Sequence, residues 1–152
     1  MLKIILQIYH KGCWGSEISL KFSVMKFSSI DCRWIKGKVA HIVLARGDSA
    51  SFDKIIKYLK NRRDVKSVEL LSKIENEMHV RVITEKDKRY GQFSDIFFKN
   101  NCFTVAPTRL ENKYEVWTLG TAEKKNFTKI YNFLKKKYPV KIKYIKEEGI
   151  VP

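Results

Sequence analysis

Apolar positions recur at helical spacing twice along the chain, at Phe52, Ile55, Ile56 and Leu59 and again at Phe127, Ile130, Tyr131 and Leu134. The i, i+3, i+4, i+7 pattern predicts two amphipathic helices, each laying one face on a core. Asp48 or Ser49 can cap the first and Thr121 the second by accepting from amides that lack an intrahelical partner, and Pro139 prevents the second from continuing. Around each helix the pattern shifts to a period of two, which predicts strands over 39–45 and 67–71 in the first half and over 114–119 and 142–145 in the second. In the last of these, Ile142 and Tyr144 alternate with Lys141 and Lys143, giving one buried and one wet face. Lys36-Gly37 and Glu111-Asn112 precede the two inner strands and can reverse the chain into hairpins.

These segments rhyme. When residue 38 is laid on 113 and residue 66 on 141, Leu44 meets Leu119, Phe52 meets Phe127, Leu59 meets Leu134 and Val65 meets Val140. The openings of the halves correspond as well, with strands over 3–9 and 78–84 followed by helices near 17–25 and 93–99. The second of these helices carries Phe93, Ile96 and Phe97 at helical spacing, whereas residues 18–22 alternate like a strand. Each half therefore reads β-α-β-β-α-β. The expected fold is α+β: a tandem duplication of ferredoxin-like, ACT-like modules over residues 1–75 and 76–152, each with an antiparallel sheet and helices on one face. A sheet so covered on one side leaves an apolar surface for its sister module or another subunit, which predicts a homodimer.

Composition narrows the function classes. The chain has 152 residues, 44% hydrophobic and 31% charged, long enough for a substantial core. Its apolar runs are too short to span a bilayer, and Gln7, Tyr9 and His10 interrupt the apolar start where a signal peptide would need continuity. Three cysteines, Cys13, Cys32 and Cys102, lack close pairing, which fits a reducing, cytoplasmic setting rather than a disulfide framework. Against 16 acidic residues stand 31 Lys and Arg, a formal charge of +15, so polyanions are plausible partners. Lys57, Lys60, Arg62 and Arg63, together with Lys135, Lys136 and Lys137, form basic clusters that could neutralise phosphates; equally, they could be the solvated faces of helices.

Nucleophile-elbow, P-loop, dinucleotide and zinc-protease motifs are absent, so no enzyme and no cofactor are expected. The most distinctive string is His10-Lys11-Gly12-Cys13-Trp14-Gly15, where glycines permit a tight turn and an imidazolium beside a thiol would favour thiolate. His10 and Cys13 alone cannot make a metal site; Cys32, His41, His79 or Cys102 would have to converge on them, and simple packing accounts for the string with fewer demands. Trp34 and Trp117 stand in the hairpins of the two halves and could line a pocket for a planar effector between the modules. His10, Cys13, Trp14, Trp34 and Trp117 are accordingly the ligand or redox-sensor candidates.

The string from His10 to Trp14 resembles the H-x-G-C-W opening of archaeal transcription regulators of the bacterio-opsin activator type, and Glu115-Val116-Trp117-Thr118-Leu119-Gly120 resembles that family's E-x-W-T-x-G stretch. The close, Glu147-Glu148-Gly149-Ile150-Val151-Pro152, is similar as well. Such proteins join an N-terminal sensor-like region to a C-terminal helix-turn-helix, which in this chain would begin about where the sequence stops. The resemblance thus implies a regulatory domain that senses a small ligand or redox state and acts on DNA through a helix-turn-helix outside this chain or on a partner. The alternative is a basic protein that binds nucleic acid directly through its lysine-rich faces.

Overall fold

The computed structural model describes residues 1–85 and 93–147, with side chains described through Lys141. In chain order the elements are β1 (Leu2–Ile8), α1 (Trp14–Lys21), β2 (Lys26–Ile35), β3 (Lys38–Arg46), a single 3-10 turn, α2 (Phe52–Lys60), β4 (Val65–Ile74), β5 (Glu77–Glu85), α3 (Phe93–Lys99), β6 (Cys102–Thr104), β7 (Thr108–Glu111), β8 (Tyr114–Thr121), α4 (Lys124–Leu134) and β9 (Val140–Glu147). The result is a mixed α/β fold with four helices and an antiparallel sheet ordered β4-β5-β3-β2-β7-β8-β1-β9, in which β6 also pairs with β8. Among the described residues no helix is long and apolar enough to cross a membrane.

The strands of both halves belong to one continuous sheet. The chain position between residues 75 and 76 lies in the tight β4–β5 hairpin, where Ile74 pairs with Glu77 and Glu75 takes a positive φ. Strand β1 does not pair inside its own half; it lies between β8 and β9. Strand β5 occupies the corresponding place in the first half, between β3 and β4. The halves meet where Phe27, Ser28 and Ser29 of β2 pair with Leu110, Arg109 and Thr108 of β7.

Two cores follow from this arrangement. The first gathers Ile18, Phe27, Val43, Ala45, Phe52, Ile55, Leu59, Met78, Val80, Val82 and Leu110. The second gathers Ile4, Leu6, Ile8, Phe93, Phe97, Cys102, Leu119, Phe127, Ile130 and Leu134. Helices α2 and α4 bury the faces their spacing predicts, because a long apolar stripe at i, i+3, i+7 has no alternative to burial.

Several local expectations are corrected by geometry. The first helix starts earlier than residue 17, because the Cys13 side chain accepts from the Ser16 amide and opens the helix at Trp14. Thr121 belongs to β8 instead of capping α4; its hydroxyl donates to the Asn101 carbonyl and accepts from Asn126 Nδ2. Asp48 does cap, accepting from Ala50 at the 3-10 turn that leads into α2. The second hairpin reverses at Asn112-Lys113, both at positive φ, in place of Glu111-Asn112. This moves the strand correspondence one residue from that of the helices. Leu119 faces the second core, but its true counterpart is Val43, since Leu44 points to the other face.

The open face of the sheet is also more polar than an apolar docking surface. Arg46 pairs with Glu77 at 2.9 Å, Arg81 with Glu69, and Ser72 with His79 at 3.0 Å. The expected alternation of Ile142 and Tyr144, and the closing residues 148–152, lie outside the described side chains and residues.

Candidate functional site

The candidate site lies on the helix-covered side of the sheet where the halves join. Antiparallel neighbours share a face, so the register brings Ser29, Thr108, Cys32, His41 and Glu115 to one region. Helices α1 and α3 close it from above through their first residues, Trp14 and Phe93. A chamber of about 70 Å³ results, lined by Trp14, Ser29, Cys32, His41, Phe93, Thr108, Leu110, Glu115 and Trp117. Beyond Ser29 the strands fork: β2 carries a bulge between Ser29 and Asp31, and Val105-Ala106-Pro107 separate β6 from β7. A second cleft of about 320 Å³ opens there and shares Ser29, Cys32, Thr108 and Trp117 with the chamber.

Aromatic edges shape the walls. The Trp14 and His41 rings of the first half meet edge to face at 5.0 Å, and the Phe93 and Trp117 rings of the second do so at 6.4 Å. Phe97 fixes Trp117 from the second core at 5.1 Å. His41 is further held by a 3.2 Å contact between Nε2 and Thr84 Oγ1, and burial pushes its pKa down to about 4. It is therefore a neutral imidazole near neutrality.

Glu115 is the unusual member. Burial pushes its carboxyl up to about 7, although the nearby Trp117 indole favours the charged form. Neither Glu115 Oε2 nor Trp117 Nε1 has a well-formed hydrogen bond, and both atoms are shielded from solvent. A buried carboxylate with only the indole beside it is poorly compensated for lost hydration, so the charged form is held at the expense of stability. Burial, and then the charge of Glu115, push the Cys32 and Cys13 thiols up to about 11.

Of the five ligand or redox-sensor candidates, Trp14 and Trp117 reach the chamber, and so do Cys32 and His41, which the sequence offered only as conditional metal ligands. Cys13 sits just before it as the helix cap: its sulfur accepts from Ser16 N at 3.4 Å and lies 3.3 Å from Ser16 Oγ, which donates to the His10 carbonyl at 3.1 Å. The environment thus holds Cys13 as a thiol, the reverse of the thiolate expected beside an imidazolium. His10 instead packs edge to face on Phe93 and Tyr138, at 6.0 and 5.3 Å. Trp34, near the end of β2 opposite Val39, is 45% exposed and does not line the chamber. The residue of β3 that corresponds to Trp117 is His41.

The potential metal ligands disperse in the same way. Cys32 and His41 face one another in register, while His79 contacts Ser72 on the open face and Cys102 lies in the second core. Among the described residues no group of three or more His, Cys, Asp or Glu is placed to hold a metal ion.

The basic clusters lie away from the seam. Lys57 and Lys60 are in the last turn of α2, but Arg62 just beyond is engaged: it pairs with Asp64 at 2.7 Å, donates to Tyr58 Oη at 3.2 Å and donates to the Gly12 carbonyl at 2.7 Å. Arg63 lines a shallow hollow with Gly12, Arg62 and Asp64. After α4, Lys135 lies over the Tyr131 ring and Lys137 over the Phe133 ring, while Lys136 is exposed.

Sequence reasoning missed Glu115, Cys32, His41, Ser29, Thr108 and Phe93 as parts of one site. A signal for Glu115 was present: it shares a period-two face with Trp117 and Leu119, so a carboxylate stands where the strand pattern demands an apolar residue. The others come together only through the β2–β7 junction.

No curated protein and no solved structure matches the chain. A family model does, over residues 3–140, and by that match the chain belongs to the family described as HVO_2525_N, N-terminal.

Proposed function

We propose that this chain is the effector-sensing, non-catalytic and dimerising region of an intracellular archaeal transcription regulator of the bacterio-opsin activator type. It acts on DNA through a helix-turn-helix outside this chain or on a partner. In this reading the halves are two ferredoxin-like βαββαβ modules that have exchanged their first strands. Strand β5 stands between β4 and β3 where the first strand of that module belongs, and β1 stands between β9 and β8.

One observation carries the sensing role: a chamber at the seam holds a solvent-shielded carboxylate beside an indole N–H, walled by aromatic rings of both halves. Walls from both halves, Trp14 and His41 on one side and Phe93 and Trp117 on the other, make its shape depend on how the halves sit. A ligand that prefers one arrangement shifts the population toward it, and the regulator reads that shift. The thiols support a ligand reading over a redox one, because burial disfavours thiolate at Cys13 and Cys32.

Dimerisation fits β4, which pairs on one side with β5 and among the described residues has no strand neighbour on its outer edge, with Leu70, Leu71 and Ile74 exposed. Direct nucleic-acid binding has less support, since Arg62 is already engaged in internal contacts.

The test is thermal unfolding of the chain against a panel of small metabolites, with Trp14→Leu and Trp117→Leu variants alongside. A ligand at about 100 times its Kd stabilises by about 2.7 kcal/mol, which for a chain of this size raises Tm by roughly 5–10 °C. Both variants should lose that shift. Equal shifts in all three proteins would place the ligand elsewhere and reject the seam as the sensor. A duplex titration across salt checks the nucleic-acid alternative, for which binding must weaken steeply as salt rises.

A further inference from the structure

We infer that the β2–β7 junction carries a second ligand site at its opposite end from the chamber, a notch that takes a small organic carboxylate with an apolar body. This site does not rest on the sensing role of the chamber, and either can stand without the other.

Strand pairing makes the notch. Strands β2 and β7 are joined at Ser29–Thr108, Ser28–Arg109 and Phe27–Leu110. The ladder stops there, one residue short of the strand ends Lys26 and Glu111. The chain after α1, at Ser23 and Val24, and the turn at Asn112 border the gap this leaves. A cavity of about 530 Å³ results, which falls within the roughly 300–1,000 Å³ of small-molecule sites.

Charge around the notch does not cancel. Register sets Lys26 opposite Arg46, and like charges so placed repel. Glu77, the next residue in that row, is bound to Arg46 at 2.9 Å. Glu111, across the notch, is bound to Arg109 at 3.1 Å. Both carboxylates are thus engaged, and among the described residues none is left for Lys26. A guanidinium has five donors in a fixed fork. Arg46 gives its carboxylate Nε alone and Arg109 gives Nη1 alone, so each keeps donors for a further carboxylate. Ser28, between Leu44 and Arg109 in register, adds a hydroxyl to the lining. The surplus is a single positive charge, which a monoanionic carboxylate balances and a phosphate dianion overshoots.

Apolar walls call for a body behind the charge. Met25, Phe27 and Leu110 belong to the first core and reach the cavity from below, while Leu44 lines it beside Ser28. Val24 is 87% exposed where it borders the notch. An apolar body seated against these side chains removes their surface from water, which a bare anion such as acetate cannot do.

3-Phenylpropionate is the probe, read by isothermal titration calorimetry of the full chain at neutral pH and low salt. 3-Phenylpropionamide keeps the outline without the charge, acetate keeps the charge without the body, and inorganic phosphate is the rival anion. 3-Phenylpropionate should bind saturably and at least tenfold more tightly than any of the three. Lys26→Gln removes an exposed cation, so it should fold, and it should weaken 3-phenylpropionate at least fivefold. Val24→Asp brings a carboxylate to the notch and should weaken it similarly. Lys57→Gln makes the same change of charge on α2, and Trp117→Leu alters the chamber; each should leave the affinity within twofold.

Failure of 3-phenylpropionate to saturate overturns the inference. So does amide binding within threefold of it, or acetate or phosphate binding as tightly. Equal weakening by Lys57→Gln and Lys26→Gln would reduce the effect to diffuse surface charge. Loss of binding in Trp117→Leu would put the ligand in the chamber instead, and the notch would fall as a site.

Discussion

Replacing Glu115 by glutamine should stabilise the protein in mildly alkaline solution and leave its stability nearly unchanged in acid. The buried carboxyl titrates near 7 instead of at its ordinary value of 4.5. A gap of about 2.5 units, at roughly 1.36 kcal/mol per unit, corresponds to about 3 kcal/mol between the two protonation states. Because the folded pKa is raised, the native state holds the proton more tightly than the unfolded chain does. The stability this provides is fully present below about pH 4.5 and is lost as pH rises through about 7. Glutamine carries no proton to lose, so the variant keeps what the wild type forfeits. The difference between the two proteins should be near zero at about pH 4, grow across the window from 4.5 to 7, and level off near 3 kcal/mol at about pH 8. For a chain of this size that corresponds to a gain of roughly 6–12 °C in Tm. Urea unfolding followed by far-UV circular dichroism, repeated for both proteins across that range, measures it. Taking the difference cancels His41 and every surface group, whose titration is common to both. A flat difference, or one that favours the wild type at alkaline pH, would show that Glu115 is not a buried, poorly partnered carboxylate.

His41 provides the opposite limb. Its folded pKa is depressed to about 4, so its contribution is present above about 6.5 and is lost as pH falls through 4. A His41→Phe variant should therefore lose up to about 3 kcal/mol less than the wild type on acidification, as read by acid titration of the fold. Cys13→Ser should keep the α1 cap and Cys13→Ala should lose it, a gap of about 1 kcal/mol in urea unfolding; equal stabilities would remove the capping role. Ile55→Ala and Ile130→Ala should each cost about 2–5 kcal/mol, because both side chains are buried at matching positions of α2 and α4, and a cost confined to one of them would break that equivalence. Gly47→Ala should be strongly destabilising, since Gly47 holds φ at +146° and a Cβ there would lie 2.5 Å from Met25 Sδ; melting close to that of the wild type would contradict this packing.

Much of the secondary structure was legible because it depends on local periodicity. Phe52, Ile55 and Leu59, and Phe127, Ile130 and Leu134, could bury one face only as helices. Phe93 and Phe97 behaved likewise. Trp14 was singled out from its motif and does line the chamber, and the motif itself now has a physical account: His10 packs with the second core, Cys13 caps, and Trp14 closes the seam. Trp34 stands in the hairpin of its half as Trp117 does in the other, but it lies near the strand end opposite Val39, and the place that matches Trp117 goes to His41. A one-residue difference between the two hairpins also set Leu44 on the wrong face, since a strand reverses its side chains at every step.

The sequence by itself determined most of the helices and strands, above all α2, α3 and α4, and that the chain is strongly basic. Those properties come from near neighbours and from composition. Which strands pair was decided only in three dimensions: β1 and β5 have the same apolar alternation, so either could fill either slot in the sheet, and the pattern cannot say which. The candidate site depends on that choice. Glu115, His41, Cys32, Trp14 and Phe93 come from distant parts of the chain and meet only because β2 pairs with β7 at the seam. Local pattern specifies a face, whereas a site needs several faces brought to one place.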